Sequence, residues 1–459
     1  MAGPPRPMAS NNRSILQSSK LLDVARDLSD GRATSVALVK ECLGRIDDTG
    51  HGSGSFVRTF VAAALAAAAT SDDMRARGIV PSPLAGIPIS IKDVLDVAGE
   101  RTTAGSKALA DTAVAEQDAL VVRRLRAAGA IILGHTNMTE LAYSGLGINP
   151  HYGTPPNPFD AERVPGGSSS GAAAATAFGF STASIGSDTG GSVRIPAAFC
   201  GLVGFKPTQA RIPRSGVTAL SRSLDSVGPI GRSSSCCAIL DRVMSNEETS
   251  APRALAPEKL HFAVPRGWLT DGLDRTVARA FEQALTKLSR AGVRLTEQPF
   301  PESRLLAEME GLGGILAPEA LAEHGALIES AGQKIDPRVR MRLLDAGNIR
   351  ADAYINALRI RSVSIAAFNA ATAPFHALVA PTVPIVPPRF DELVGLDDYR
   401  RINKMVLRNT AVANLLDRCS VSLPCRANGA LSVGLMLIGT RDQDVMLLSI
   451  GAAIESLIG

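Results

Sequence analysis

Apolar residues recur along this chain with two different periods. From Leu21 to Ile46 they return every three or four positions, which predicts two helices broken near "SDGRATS" (29–35), with Thr34 or Ser35 capping the second. "GIPISIKD" (86–93) is instead a short β-branched run, the pattern of a buried strand, and it ends on Lys92. "DALVVRRLRAAGAIILG" (118–134) predicts a helix capped by Asp118 and stopped by Gly129, followed at once by a strand. "GGSSSGAAAATAFGFSTASIGSD" (166–188) reads as a loop, an alanine-rich helix and a small-residue strand. Strand, helix and strand return in "HFAVP" (261–265) and "DRTVARAFEQALTKLSRAGVRL" (274–295), where Val277, Phe281, Leu285 and Leu288 share one helical face. "CSVSLPCRANGALSVGLMLIG" (419–439) predicts a strand pair, and "DQDVMLLSIGAAIESLI" (442–458) a closing helix. Residues 300–400 show no strong sheet signal and are expected to be mostly helix and loop. The alternation predicts an α/β fold with some parallel pairing.

Composition narrows the partners. With 459 residues, 45% hydrophobic and 20% charged, the chain has the make-up of a folded globular enzyme. Its net charge of +4 comes from 48 basic and 44 acidic residues with no basic run among aromatics, so nucleic acid is not an expected partner. The most apolar stretch, "FVAAALAAAA" (60–69), is half of the roughly 20 residues that span a bilayer, and predicts a packed helix; no membrane partner is expected. The start, "MAGPPRPMASNN", lacks the apolar core of a secretory signal. Residues 1–18 are therefore expected to be a flexible tail, residues 19–459 one domain without internal repeat or linker, and the location cytoplasmic. Six cysteines without a CxxC pair read as reduced thiols. Six scattered histidines, with no HExxH, suggest no metal and single out no base.

Two serine motifs compete for chemistry. "GSSSG" (167–171) matches the G-x-S-x-G elbow and would nominate Ser169, but that elbow needs a strand before it, and "NPFDAERVPG" is rich in proline and charge. The second, "GSDTGGSVRIP" (186–196), follows a strand pattern. The N–H groups of Thr189, Gly190, Gly191 and Ser192 would there gather into a nest able to hold an oxyanion; the plainer alternative is a flexible Gly-Gly-Ser turn. A serine nucleophile needs a base. Lys92, at the end of an apolar strand, either is desolvated and neutral enough to take a proton or extends its ammonium to solvent.

The stretches "GIPISIKD", "PGGSSSGAAAA" and "GSDTGGSVRIPAAFCGLVGFKPT" resemble the signature of the amidase signature family, the Ser–cisSer–Lys amidohydrolases. "TTAGSKAL", "DALVVRRLRAAGAIILGHTNMTELAYSG", "SLDSVGPIGR", "ANLLDRCSVSLPC" and "GLMLIG" resemble it too, in the family's order, over roughly residues 20–458. The resemblance implies a single α/β/α domain around a large mixed sheet. It also implies Ser192 as nucleophile, Lys92 as base and Ser168, in a cis peptide, as the bridging serine, with the backbone of Thr189, Gly190, Gly191 and Ser192 as oxyanion hole. Asp188 and Arg194 match supporting polar positions and read first as structural. Ser168 would pass the proton of Ser192 to neutral Lys92 and later return one to the leaving amine. No cofactor is implied. His135 in "GHTN" and Ala210 in "KPTQAR" depart from the pattern, where lysine and glycine are common; they put the pocket shape in doubt, not the chemistry.

The substrate is less legible. Met138, Tyr143, Ser144 and Gly145, in and after "TNMTELA", are candidates for the entrance, with ordinary loop packing the equal alternative. The sequence shows no added cluster of charges, so a small hydrophobic amide, anilide or carbamate is expected rather than a charged amino acid, handled by a monomer or homodimer. Two alternatives stand beside this: a glutaminase-type subunit of a tRNA-dependent amidotransferase, which works with a partner chain, and a catalytically silent member acting as a binding protein. The silent form would have lost Lys92, Ser168 or Ser192, and all three are present.

Overall fold

The short β-branched runs assemble into one sheet. In the computed structural model, which describes residues 20–48, 52, 54–247, 255–426 and 431–458, eleven strands form it. They are β1 (Phe56–Thr59), β2 (Pro88–Lys92), β3 (Ile131–Thr136), β4 (Ala183–Asp188), β5 (Val203–Lys206), β6 (Ser226–Gly231), β7 (His261–Arg266), β8 (Arg294–Pro299), β9 (Ala377–Pro381), β10 (Ser420–Cys425) and β11 (Val433–Ile438). Their order is β1-β3-β2-β4-β6-β5-β10-β11-β9-β7-β8. β2 pairs in parallel with β3 and β4, β7 with β8 and β9, and the other neighbours run antiparallel. The sheet is therefore mixed and the fold α/β, as expected. The expected tail, residues 1–18, lies outside the described residues.

Helices cover the sheet where their apolar faces demand it. Helix Arg275–Arg290 buries Val277, Phe281, Leu285 and Leu288 against β9, β11 and the closing helix Asp444–Ile458, in an apolar cluster with Val421 and Leu435. Thr34 Oγ1 accepts from the Ala37 N–H at 3.1 Å and caps helix Ser35–Asp48. The alanine run forms helix Val61–Ala76, which buries only Ala64 and Ala68 and so packs along one stripe. Among the described residues no helix is long and apolar enough to cross a membrane.

Three details differ from the sequence reading. Asp118 does not cap the helix Leu120–Ala127; its Oδ1 accepts the Ala98 N–H at 2.9 Å and so ties a preceding loop to the helix. Residues 300–400 are mostly helix and loop, as expected, but they hold one strand without a strong sheet signal, β9, which lies near one end of the sheet between β11 and β7. β1, β5 and β6 had no clear strand signal either: two are four residues long, and β6, "SVGPIG", carries glycine and proline.

Candidate active site

Adjacent parallel strands bring their carboxyl ends together, and here β2 and β4 end on Lys92 and Asp188. Lys92 is fully buried. Its Nζ lies 2.7 Å from Ser168 Oγ and 2.9 Å from Ser187 Oγ. Burial pushes its ammonium down to about 7, against the pull of the Asp188 and Asp225 carboxylates.

Ser168 stands just before helix Ser170–Phe178, and the Gly167–Ser168 peptide is cis. The backbone on either side is held by neighbours: Gly167 N–H donates to Gly145 O at 2.8 Å, and Thr139 N–H to Ser168 O at 3.0 Å. The helix that follows is buried from Ser170 to Thr176, because alanines and glycine let it lie close on β4 and β2. Ser169 N–H donates to Ser192 O at 3.2 Å, so the two serine segments run side by side. Ser169 itself, the elbow candidate, opens this helix and sends its hydroxyl to Ser187 O at 3.3 Å.

Ser192 lies in the turn between β4 and the helix Arg194–Phe199. Asp188 organises that turn: Oδ1 accepts the Gly191 N–H at 2.8 Å and Oδ2 the Val193 N–H at 3.1 Å. Arg194 binds the same carboxylate through Nη2 at 2.9 Å and Nε at 3.1 Å, and both side chains are fully buried. Burial alone would raise the Asp188 carboxyl, but Arg194, with Lys206 and Asn414, overcomes this and holds it at about 2. One of the four expected oxyanion donors, the Gly191 N–H, is thus already engaged. The N–H groups of Thr189, Gly190 and Ser192 remain for that task.

The two glycines are not equivalent. Gly191 has φ +134°, and a Cβ there would stand 2.1 Å from Thr410 Oγ1, whereas at Gly190 the nearest obstacle is Leu407 at 3.5 Å. Gly191→Ala should therefore destabilise the protein by about 1–3 kcal/mol and lower kcat/KM by about 100-fold, while Gly190→Ala should keep the parent melting temperature. Thermal unfolding with an amide-release assay checks both; an unaltered Gly191→Ala enzyme would show that the turn tolerates a side chain.

Beside Thr189 and Gly190 opens a cavity of about 660 Å³. Leu224, Met309, Ile315, Leu316, Leu407 and Leu415 give it an apolar wall, drawn largely from the stretch between 300 and 420. Of the four expected entrance residues only Tyr143 lines it. Met138 is fully buried, with its carbonyl accepting Asn149 Nδ2 at 2.7 Å; Ser144 Oγ donates to Asn403 Oδ1 at 2.9 Å and accepts from Tyr399 Oη at 2.8 Å; Gly145 acts through its backbone. These three stand outside the lining of the cavity. The absence of a charge cluster is also corrected: Arg342, Arg400, Arg401, Lys404 and Arg408 meet on this cavity, brought together by folding from positions up to 66 residues apart.

The fold repeats that of known enzymes. The protein-family model described as Amidase matches residues 37–448. The chain belongs to the amidase family. It is 32% identical to 2-amino-5-chloromuconic acid deaminase of Comamonas testosteroni over 96% of both chains, and 35% identical to a glutamyl-tRNA(Gln) amidotransferase subunit of Anaeromyxobacter sp. (strain K) over 93% of both. A crystal structure of an amidase superposes with a TM-score of 0.87 at 31% identity, covering 96% of this amidase and 100% of that chain. The protein is thus an amide-hydrolysing enzyme of the amidase signature type.

Several supporting residues escaped sequence reasoning. Ser187 gives Lys92 its second partner; Asn414 Nδ2 donates to the Asp188 carbonyl and carboxylate, both at 3.0 Å; Thr410 Oγ1 donates to Gly190 O at 2.6 Å; Thr189 Oγ1 donates to Asp225 Oδ1 at 2.5 Å. Ser187, Asp225 and Asn414 lie inside the stretches that carry the family resemblance, which was the available signal. His135 lies beside the site without touching the relay: its Nδ1 is 3.2 Å from Asp93 Oδ1 and its Nε2 2.9 Å from Leu95 O. Among the described residues no group of three or more His, Cys, Asp or Glu could hold a metal ion, and the six cysteines are free and buried.

Proposed function

We propose that this amidase cleaves the C–N bond of small amides through an acyl-enzyme on Ser192, with Ser168 and Lys92 as its proton relay. The observation that carries the reading is the 2.7 Å contact between Ser168 Oγ and the Nζ of a fully buried Lys92, whose ammonium burial pushes down to about 7. Ser192 Oγ bonds to the carbonyl carbon; its proton passes to Ser168 as the proton of Ser168 passes to Lys92 Nζ. The carbonyl electron pair moves to oxygen, where the N–H groups of Thr189, Gly190 and Ser192 receive it. Collapse of the intermediate breaks the C–N bond, and the amine leaves with a proton returned by the relay. Water then enters by the same path and releases the acid. Asp188 and Arg194 act as positioning residues. No cofactor has a part in these steps.

The apolar wall of the cavity supports an amide, anilide or carbamate with an apolar body. The same reading has the enzyme acting in the cytoplasm as a monomer or homodimer, in keeping with its six free cysteines. A second reading, a glutaminase that works beside a partner chain, is favoured by the 35% identity to the amidotransferase component. Hydrolysis of p-nitroacetanilide, an aryl carbamate, an aliphatic amide and glutamine by the purified enzyme tests both. Turnover of any of the first three supports the proposal; turnover of glutamine alone supports the second reading.

The relay also sets a pH dependence. Lys92 must be neutral to accept a proton, so kcat/KM is expected to rise with pH through a midpoint near 7 and to lose activity below it. A profile flat between pH 5 and 9 (about two units either side of that value) would remove Lys92 from the role of base.

A further inference from the structure

We propose that the cavity beside Thr189 and Gly190 recognises a carboxylate on the substrate, with Arg342 as its receptor; this rests on the amide-hydrolysis reading above. Five cationic side chains line the cavity, Arg342, Arg400, Arg401, Lys404 and Arg408, against one carboxylate, Glu310. Three of the five are balanced: Arg400 by Asp345 at 2.9 Å, Arg401 by Asp398 at 2.9 Å, and Lys404 by Glu310 at 3.6 Å. Arg408 spends its donors on neutral acceptors at the rim, Asn409 Oδ1 at 2.9 Å and Asp271 O at 2.8 Å.

Arg342 is different. It is half-buried, its guanidinium lies 4.0 Å from the centroid of the Tyr143 ring, and its Nη1 donates to the Tyr143 carbonyl. No ion pair joins it to a carboxylate among the described residues. Stacking and a backbone bond fix the plane of the guanidinium but leave its charge uncompensated, and a planar fork held in this way matches a carboxylate in two-point contact. Asn403, buried, lines the same cavity, and its Oδ1 is taken by Ser144 Oγ and Gly145 N–H at 2.9 and 2.8 Å. The amide is therefore oriented with Nδ2, a second donor, as the group left over. A fixed cation and an oriented amide on the wall of an apolar cavity that is also lined by Thr189 and Gly190 suit the monoamide of a dicarboxylic acid better than a wholly apolar amide.

The test compares succinamate, glutaramate and adipamate with butanamide, pentanamide and hexanamide, using the wild type, Arg342→Met and Arg342→Lys. The wild type is expected to prefer at least one acid over its uncharged partner. Arg342→Met should cut that preference by roughly 10- to 100-fold, mostly through KM, and Arg342→Lys should restore part of it. Inhibition of the wild type by glutarate, weakening as salt is added, gives a reading that does not depend on the variants folding. A wild type that prefers the uncharged amides, an acid preference that survives Arg342→Met, or hydrolysis of p-nitroacetanilide with no acid amide accepted would each overturn the proposal and leave the relay standing. Failure on every amide would overturn the relay itself, and the proposal with it.

Discussion

Ser192→Ala is expected to lower kcat by about 10,000-fold or more, with the fold and the melting temperature unchanged. The serine stands in a turn whose geometry is held by other groups: the Asp188 carboxylate grips the N–H groups on either side of it, and its own carbonyl, which alanine keeps, accepts from Ser169. Removing Oγ deletes the atom proposed to bond to the acyl carbon and little else. Lys92→Met should cost less, about 100- to 10,000-fold, because the nucleophile and the oxyanion donors remain and only proton transfer is lost. It should also erase the rise of kcat/KM with pH near 7 that the lowered Lys92 value predicts. The two variants differ in stability as well. Folding disfavours the charged form of Lys92, so its folded value lies below the usual 10.5 and its contribution weakens as pH falls from that value towards 7. Methionine has no charge to bury, and Lys92→Met is expected to melt at a higher temperature than the parent at neutral pH. Steady-state rates and calorimetry on the same preparations decide the matter: a Ser192→Ala enzyme with even a hundredth of the parent rate would move the nucleophile elsewhere.

Where sequence and structure agree, the reason is local. β2 announces itself because the β-branched Ile87, Ile89 and Ile91 alternate with small or cyclic residues in a short run, and all five residues from Pro88 to Lys92 are buried. Helix Arg275–Arg290 shows because one face is buried and the other is not. β9 is as buried as β2, but "ALVAP" is short, weakly β-forming and set among helices, so its pattern was absorbed into theirs. The site divides in the same way. Lys92, Ser168 and Ser192 lie at ends of elements that sequence pattern defines, whereas Arg342, Asn403 and Thr410 come from a stretch of helices and reach the site only by tertiary packing. A cluster of five cations spread over residues 342–408 has no linear signature at all, which is why the sequence alone favoured a wholly apolar ligand.

Arg194→Met is expected to destabilise the protein by about 3–5 kcal/mol and to inactivate it, although Arg194 touches none of the relay side chains. The guanidinium is fully buried and bonds to the Asp188 carboxylate, to Thr410 O at 2.8 Å and to Asn414 Oδ1 at 2.7 Å. Its loss leaves a buried carboxylate whose desolvation nothing comparable offsets. In the parent, Asp188 is held near 2, below the ordinary carboxyl value, so the pair's contribution is present above that ordinary value and is lost as pH falls towards 2. Without Arg194 the balance reverses: burial would raise the Asp188 carboxyl, and stability would fall as pH rises through the new value. The sign of the pH dependence thus separates a lost ion pair from a simple cavity, which would lower stability equally at every pH. Asp188→Asn combined with Arg194→Met should recover part of the stability, since no unpaired charge is left. It should not recover activity, because an uncharged amide at 188 presents one oxygen where Gly191 N–H and Val193 N–H now take two. Urea unfolding across the acidic range checks both variants. An Arg194→Met protein within about 1 kcal/mol of the parent would mean that Asp188 is held by Asn414 and the backbone amides instead, and that Ser192 is positioned without the ion pair.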